Sequence, residues 1–169
     1  MTRTSLSMNG ILYSVPSMAV PSDVEWMLSV CSDIEKAMRR NKPADVACHN
    51  DYLSENFMDD GDQIWIIDWE YGGRGDPCFD LGDFAVEHPF RREQEELIIQ
   101  EYCGALHHEK LYRMLLYKIV SDLWWGLWAM IQWKVSKIPF DFYRYANNRF
   151  DRLRGNAGDK DYKKWLDQV

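Results

Sequence analysis

The sequence predicts an α+β fold that is predominantly α, with one small β-hairpin. Apolar residues recur at helical spacing near the N-terminus and through most of the C-terminal half. Only residues 56–67 show two short apolar runs around a turn-forming Asp-Asp-Gly-Asp sequence. A chain of 169 residues with 46% apolar content is large enough for one domain with a sizeable core.

Regular structure is predicted to begin at Ser22, after an irregular segment over residues 1–21 that is rich in helix breakers. Ser22 and Glu25 form a capping-box pattern, in which each side chain bonds to the backbone of the other residue. Apolar residues then recur at helical spacing until Pro43. We therefore expect a first amphipathic helix between Ser22 and Pro43.

The middle of the chain predicts short extended segments around a loop. Residues 46–48 form an apolar piece that leads into a loop at His49. Residues 56–58 and 64–67 flank the turn of the predicted hairpin, and Asp68 follows directly. The hairpin therefore delivers the carboxylate of Asp68 at its exit.

The second half of the chain is predicted to be helical. Residues 72–77, Gly-Gly-Arg-Gly-Asp-Pro, are expected to form a loop, because their glycines and proline disfavour regular structure. Helical patterns follow at residues 91–103 and 109–137, and the second is apolar almost all round, as in a helix buried on several sides. Residues 142–153 predict a covering helix, and residues 162–169 a short last one.

Composition excludes several classes of function. A formal net charge of −7 argues against a sequence-independent nucleic-acid binder. The four cysteines are far apart, which predicts neither a zinc site nor a disulfide framework and favours a reducing cytoplasm. The longest apolar run, residues 123–131, is too short to span a bilayer, and residues 1–20 lack the apolar core of a signal peptide. We expect a cytoplasmic protein with neither nucleic acid nor a membrane as its partner.

Asp51, Asn56 and Asp68 have the order and spacing of a phosphoryl-transfer centre. Asp51 precedes Asn56 by five residues, and the hairpin then supplies Asp68. We interpret Asp68 as a direct Mg²⁺ ligand, Asn56 as a second ligand through its carbonyl oxygen, and Asp51 as the acceptor of a hydroxyl proton. Glu70, two residues beyond Asp68 on an extended chain, is a secondary ligand. Asp and Asn are also common in turns, but the combination of spacing, strand and hairpin favours a site.

These motifs resemble those of the choline/ethanolamine kinase and aminoglycoside phosphotransferase superfamily, whose members have a protein kinase-like fold. Cys-His-Asn-Asp at 48–51 and Ile-Asp-Trp-Glu-Tyr at 67–71 resemble its two signature motifs, and residues 75–82 resemble its bacterial, choline kinase-like members. The similarity covers about residues 22–154. It implies that residues 22–169 form a kinase-like C-terminal, catalytic lobe, with the β-hairpin beside the catalytic loop.

The resemblance also implies roles for individual side chains. It makes Asp51 the catalytic base and ATP the co-substrate. It makes Asn56 and Asp68 the magnesium ligands, with Glu70 assisting them. It adds His49 and Asp80 as structural support of the catalytic loop. Asp80 corresponds to a buried aspartate that braces this loop by hydrogen bonds.

The sequence Trp125-Gly-Leu-Trp128 is similar to that of choline kinases. The resemblance implies that Trp125, Trp128 and Tyr145 form an aromatic pocket for a trimethylammonium group, whose permanent charge is attracted to ring faces. Core packing is the alternative for such aromatic side chains. The implied activity is ATP- and Mg²⁺-dependent phosphate transfer to the hydroxyl of choline or a related amino alcohol. An aminoglycoside kinase or another small-molecule kinase is the alternative of the same class.

The nucleotide-binding half of such a site is not recognisable in the sequence. Residues 1–47 contain one glycine and no glycine-rich loop, and Lys36 and Lys42 lie in or just after the first helix rather than on a strand. We therefore expect the N-terminal nucleotide-binding lobe to be absent and the chain to be incomplete alone, with a missing lobe or self-association covering the exposed surface. A non-catalytic remnant that binds a quaternary ammonium ligand or a partner chain is the remaining alternative.

Overall fold

The computed structural model describes residues 20–88 and 90–169, which confirm a predominantly helical α+β fold. The helices are α1 Val24–Met38, α2 Pro77–Glu87, α3 Arg92–Cys103, α4 His108–Val135, α5 Phe142–Ala157 and α6 Tyr162–Gln168. The strands are β1 Val46–Cys48, β2 Phe57–Asp59, β3 Ile64–Ile66 and β4 Gly73–Gly75. Of the predicted irregular segment at residues 1–21, only the last two lie within the described residues.

The predicted capping box at the start of α1 is wrong. Helix α1 begins at Val24, and Asp23 occupies the N-cap position without a side-chain cap hydrogen bond. The Asp23 carboxylate instead accepts two hydrogen bonds of 2.8 Å from the guanidinium of Arg154 in α5. A bidentate, charge-assisted pair is stronger than a neutral cap, so the tertiary contact determines where this carboxylate points.

The glycine-rich segment after the catalytic motifs is not the irregular loop that its composition predicted. Gly73–Gly75 forms strand β4, which pairs antiparallel with β1 so that Val46 faces Gly75 and Cys48 faces Gly73. Helix α2, which the sequence patterns did not predict, begins immediately afterwards at Pro77. Asp76 caps this helix by accepting a 3.0 Å hydrogen bond from the backbone N–H of Cys78. Long-range pairing has overridden weak local propensity.

The predicted β-hairpin is confirmed. Strands β2 and β3 pair antiparallel, with Phe57 opposite Ile66 and Asp59 opposite Ile64. Gly61 has a φ of 92°, which places the turn in the left-handed region that favours glycine, and its N–H donates to the carboxylate of Asp59. The hairpin therefore has the local chemistry that its sequence indicated.

Helix α4 organises the core, as its apolar sequence predicted. It packs chiefly against α5 and α2 and also contacts α1, α3 and α6. Its buried side chains lie on several sides of the helix and include Leu116, Ile119, Leu123 and Leu127. Despite this composition, no helix within residues 20–88 and 90–169 combines the length and apolar character needed to cross a membrane.

Gly82 permits the close packing of α2 on α4. A Cβ added there would lie 2.8 Å from the backbone oxygen of Met114 and 2.9 Å from Cβ of Tyr117. We expect Gly82→Ala to lower the free energy of unfolding by about 1–3 kcal/mol, because the two helices must separate. Gly155→Ala in α5, where nothing lies within 4 Å, is the control and is expected to raise it by up to about 1 kcal/mol. Urea denaturation measures both, and equal effects would contradict the packing argument.

Candidate active site

The loop after β1, which is the predicted catalytic loop, is held by the carboxylate of Asp80 in α2. The backbone N–H groups of His49 and Asn50 donate to its two oxygens at 2.7 Å and 2.8 Å. Burial raises the pKa of Asp80, and these two hydrogen bonds oppose that rise by stabilising the anion. The structure thus brings Asp80 to the loop in the geometry expected of a brace.

His49 joins the loop to the hairpin. Its side chain is fully buried, and Nε2 lies 2.7 Å from the carbonyl oxygen of Ile67, which precedes Asp68. Because a carbonyl only accepts hydrogen bonds, Nε2 must carry the proton in this contact. The imidazole also stacks on Tyr52, with 5.2 Å between ring centroids. His49 therefore couples the position of the loop to that of the hairpin exit.

Asp51 and Asn56 form a buried pair. The amide nitrogen of Asn56 donates to the backbone carbonyl of Asp51 at 2.9 Å and lies 3.4 Å from its Oδ2. Oδ1 of Asp51 is buried and has no hydrogen-bond partner among the described residues. Because the side-chain nitrogen of Asn56 faces Asp51, its side-chain oxygen, Oδ1, is the atom able to bind a cation. The carboxylate of Asp51 therefore keeps one acceptor oxygen, Oδ1, that is buried and unused by the described residues.

The surroundings of Asp51 favour its protonated form. Burial, followed by the negative charge of Asp83, raises the pKa of Asp51 to about 6. Asp68 contributes in the same direction, whereas His49 and the hydrogen bond from Asn56 oppose the rise. A carboxylate with a pKa near 6 is a stronger base than an exposed aspartate and is still mostly ionised at neutral pH.

This pKa predicts a pH-dependent stability. Because the unfolded chain releases the Asp51 proton near its ordinary pKa of 3.8 and the folded chain near 6, stability falls as pH rises between these values. We expect Asp51→Asn to be more stable than the parent at pH 8, by about 1–3 kcal/mol, with little difference below pH 4. Urea denaturation across this range measures the effect. A stability difference that does not change with pH would contradict it.

Asp68 lies at the exit of the hairpin in a left-handed backbone conformation, with φ and ψ both 61°. This conformation turns the chain, and Trp69–Tyr71 forms a 3₁₀ turn. The prediction that Glu70 follows Asp68 on an extended chain is therefore wrong, although its side chain is exposed near the site. Its role as a metal ligand stays a prediction.

The oxygen donors at this site suit Mg²⁺ better than a transition metal. No group of three or more His, Cys, Asp or Glu side chains in the described part of the chain is placed to hold a metal ion. Mg²⁺ does not need one, because it is commonly held by one or two carboxylates together with waters and substrate phosphates. The carboxylate of Asp68 and the side-chain carbonyl oxygen of Asn56 are oxygen donors of that kind, and their role as Mg²⁺ ligands stays a prediction.

An aromatic cluster lies on α4 beside this centre. The ring centroids of Trp125 and Trp128 are 5.7 Å apart at an interplanar angle of 79°. Tyr71 meets Trp125 edge-on, with centroids 5.4 Å apart. Tyr71 was missed by sequence reasoning, which read its motif only for carboxylates; its place in the motif was the available signal. The structure thus brings Trp125 and Trp128 together and adds Tyr71.

Tyr145 is placed differently from the other predicted pocket residues. Its described ring contacts are with Phe140, at 5.8 Å, and with the guanidinium of Arg149, which lies 4.8 Å from the ring centroid. Arg149 also donates a hydrogen bond to its hydroxyl. Burial raises the pKa of Tyr145 to about 12. One face of this ring therefore already has a cationic partner.

Asp83 is a buried residue that sequence reasoning missed. Its Oδ2 accepts the backbone N–H of Tyr52 at 2.7 Å, and its Oδ1 accepts the indole N–H of Trp125 at 3.2 Å and the hydroxyl of Ser121. This single carboxylate therefore connects the catalytic loop to the aromatic cluster. Its position three residues after Asp80, on the same face of a helix, was the available signal.

Comparisons with known proteins agree with this geometry. Residues 20–117, more than half of the chain, match the phosphotransferase enzyme family (APH). Ethanolamine kinase 2 of Mus musculus is 31% identical over 160 residues, which is 82% of this chain and 40% of that protein. Protein LicA of Haemophilus influenzae is 28% identical over 111 residues, or 62% of this chain and 40% of LicA.

Solved structures show the same fold. A choline/ethanolamine kinase family protein from Mesorhizobium loti has a TM-score of 0.88 at 31% identity, over 95% of this chain and 55% of that one. Choline kinase LicA from Streptococcus pneumoniae has a TM-score of 0.74 at 25% identity, over 88% and 52%. The chain spans about 40% of the length of the curated relatives described above. By the extent of these matches, the chain belongs to the phosphotransferase enzyme family, with choline and ethanolamine kinases among its relatives.

Proposed function

We propose that this chain is the catalytic lobe of a kinase that transfers the γ-phosphoryl group of ATP to the hydroxyl of choline or a related amino alcohol. The observation that carries the proposal is the link through Asp83, which hydrogen-bonds both the catalytic loop and Trp125. Asp83 thereby fixes the loop that carries the proposed base, Asp51, relative to the aromatic side chains proposed to bind the cation. Phosphate transfer to a cationic alcohol requires both groups at fixed positions. The relation to choline and ethanolamine kinases supports the same reaction class.

In the proposed reaction, the acceptor hydroxyl donates its proton to the carboxylate of Asp51, one oxygen of which has no other described partner. The hydroxyl oxygen forms a bond to the γ-phosphorus, the bond from that phosphorus to the bridging oxygen breaks, and ADP departs with the bonding electrons. Asp68 and the carbonyl oxygen of Asn56 would hold Mg²⁺, which neutralises phosphate charge when bound. His49 and Asp80 keep the loop in place for in-line transfer.

The aromatic cluster is the proposed site for the ammonium group of the acceptor. A quaternary ammonium cannot donate ordinary hydrogen bonds, so ring faces attract it, by up to about 2 kcal/mol for a desolvated contact. Trp125, Trp128 and Tyr71 supply these rings. Tyr145 packs against Phe140 and already has Arg149 as a cationic partner, so its part in this site stays a prediction.

An acceptor panel tests the proposed reaction. Choline, ethanolamine and an aminoglycoside are each incubated with ATP, Mg²⁺ and the protein supplied with the nucleotide-binding lobe of a related kinase, and the phosphorylated product is identified by ³¹P NMR. We expect the phosphomonoester of an amino alcohol as the main product. Phosphorylation of the aminoglycoside alone would support the antibiotic-kinase alternative and would contradict this proposal.

Binding of choline can be tested without turnover. We expect choline to quench tryptophan fluorescence, and Trp125→Leu to weaken its binding about tenfold, since one desolvated ring contact is lost. Trp133→Leu, which changes an exposed tryptophan with 42% of its surface accessible, is the matched control and should leave affinity unchanged.

A second ligand control is 3,3-dimethyl-1-butanol, which has the shape of choline without its charge. It should bind more weakly than choline if attraction between the cation and the rings is responsible. Equal binding of both compounds would show apolar packing instead, and would contradict a cation site.

A further inference from the structure

The end of α4 and the start of α5 carry an exposed apolar cluster, which we call the α4–α5 tip (residues 133–144). The exposed side chains are Trp133 at 42%, Val135 at 66%, Ile138 at 67%, Phe140 at 53% and Tyr143 at 49%. Exposed apolar side chains are ordinary when they are scattered, but a group of five within eleven residues marks an interaction surface.

The charges around the tip have the opposite sign to the chain as a whole. No Asp or Glu occurs from Leu123 to Phe140, although the formal net charge of the chain is −7. Lys134 and Lys137 lie within the tip and are exposed. Its one acidic residue, Asp141, caps α5 by accepting the N–H of Arg144 at 2.9 Å. The tip is therefore a cationic and apolar surface on an anionic protein.

The side chains are of the kinds that favour a membrane–water interface. The rings of Trp133 and Tyr143 lie 5.1 Å apart, and the ammonium of Lys134 lies 4.1 Å from the Trp133 centroid. Tryptophan and tyrosine combine an apolar body with a polar tip, and lysine extends its charge along an apolar stem. Together with the highly exposed Val135 and Ile138, they form an apolar surface with basic groups at its margin.

A second exposed apolar surface, on the β-hairpin, lacks this charge pattern. Ile64 is 65% exposed and Trp65 is 53% exposed, and the apolar side chains of Met58 and Ile67 are also exposed. Asp59, Asp60 and Asp62 lie in the same hairpin and would repel an anionic surface. The two surfaces are similar in exposure and opposite in charge, so charge identifies the tip as the one suited to an anionic partner.

We propose that the α4–α5 tip binds the surface of a lipid bilayer that contains anionic headgroups. The apolar side chains enter the boundary between headgroups and acyl chains, while Lys134, Lys137 and Arg144 face lipid phosphates. Helix α4 does not cross the bilayer, so binding is peripheral. This proposal departs from the sequence-based expectation that a membrane is not a partner, which considered only segments able to span a bilayer.

Vesicle flotation tests the proposal with two matched variants. Phosphatidylglycerol vesicles and phosphatidylcholine vesicles are compared for the parent chain, Ile138→Glu in the tip and Ile64→Glu in the hairpin, two isoleucines that are 67% and 65% exposed. We expect binding to the anionic vesicles that weakens at high salt and that Ile138→Glu weakens at least tenfold. Ile64→Glu should bind as the parent does, and thermal unfolding establishes that all three chains are folded.

Three results would overturn the proposal. These are no binding to phosphatidylglycerol vesicles, equal binding to phosphatidylcholine vesicles, and equal loss of binding in the two glutamate variants. Sedimentation of the protein without lipid tests whether a second copy of the chain binds the tip instead. If the parent forms a dimer that Ile138→Glu dissociates, and vesicles do not compete with it, the tip binds a second copy of the chain instead of lipid.

Discussion

Asp51→Asn is expected to lower kcat for phosphate transfer to an amino alcohol on the order of 10²–10⁴-fold, the usual contribution of a general base, in the protein supplied with a nucleotide-binding lobe. Asparagine keeps the shape of the side chain but cannot take the hydroxyl proton. The hydrogen bonds that hold the loop to Asp80 come from the backbone, so the substitution leaves the loop in place. The loss should therefore affect turnover rather than folding.

The control for Asp51→Asn is Asp62→Asn, which makes the same change of charge at an exposed position in the hairpin turn. It should retain nearly full activity. In the parent enzyme, kcat/KM should fall as pH drops through the pKa of Asp51, about 6, because the protonated base is inactive. Asp51→Asn activity within tenfold of the parent would refute the assigned role.

Arg149→Met is expected to lower the free energy of unfolding by about 3–5 kcal/mol, the usual effect of removing one partner from a buried ion pair. The Arg149 side chain is 2% exposed and pairs with Glu87 and with the fully buried Asp122. Burial raises the pKa of both carboxyls; Arg149 opposes that rise at Glu87, and Arg152 together with Arg149 opposes it at Asp122. Without Arg149, two carboxylates must stay charged in the core or take up protons.

Arg154→Met is the control for Arg149→Met, because Arg154 pairs with the accessible carboxylates of Asp23 and Asp151 from a side chain that is itself 35% exposed. Its removal should cost about 1 kcal/mol, as for a largely solvated ion pair. Urea denaturation measures both, and the Arg149→Met deficit should shrink in mildly acidic solution as the carboxylates are protonated. Equal losses for the two variants would contradict a buried network centred on Arg149.

The elements that were predicted correctly are those specified by a short local sequence, such as a turn, or by a long run of apolar residues. The hairpin was recognisable because Gly61 suits its turn and apolar residues flank it. Helix α4 was recognisable because an apolar sequence of that length can be stable only when it is buried on several sides. The order of Asp51, Asn56 and Asp68 was likewise readable, since the loop and the hairpin hold them within a short stretch of chain.

The predictions that failed depend on partners far away in the sequence. Strand β4 forms because β1 lies beside it, whereas its Gly-Arg-Gly sequence disfavours a strand. At the start of α1, Asp23 rather than Ser22 occupies the N-cap position, and its carboxylate binds Arg154 from another helix. The extended chain expected at Glu70 is replaced by a turn, since Asp68 adopts a left-handed conformation. No local pattern contains these contacts.

The sequence by itself determined the helical fold class, the hairpin and the phosphotransfer motifs, because these follow from local spacing and from residue chemistry. Only the tertiary structure decided how the aromatic cluster on α4 is connected to the loop after β1. Folding brings Asp83 to both Tyr52 and Trp125, adds Tyr71 to the aromatic cluster and places Arg149 over Tyr145. The physical reason is that a buried carboxylate or cation must find partners wherever packing supplies them, and these partners are rarely neighbours in sequence.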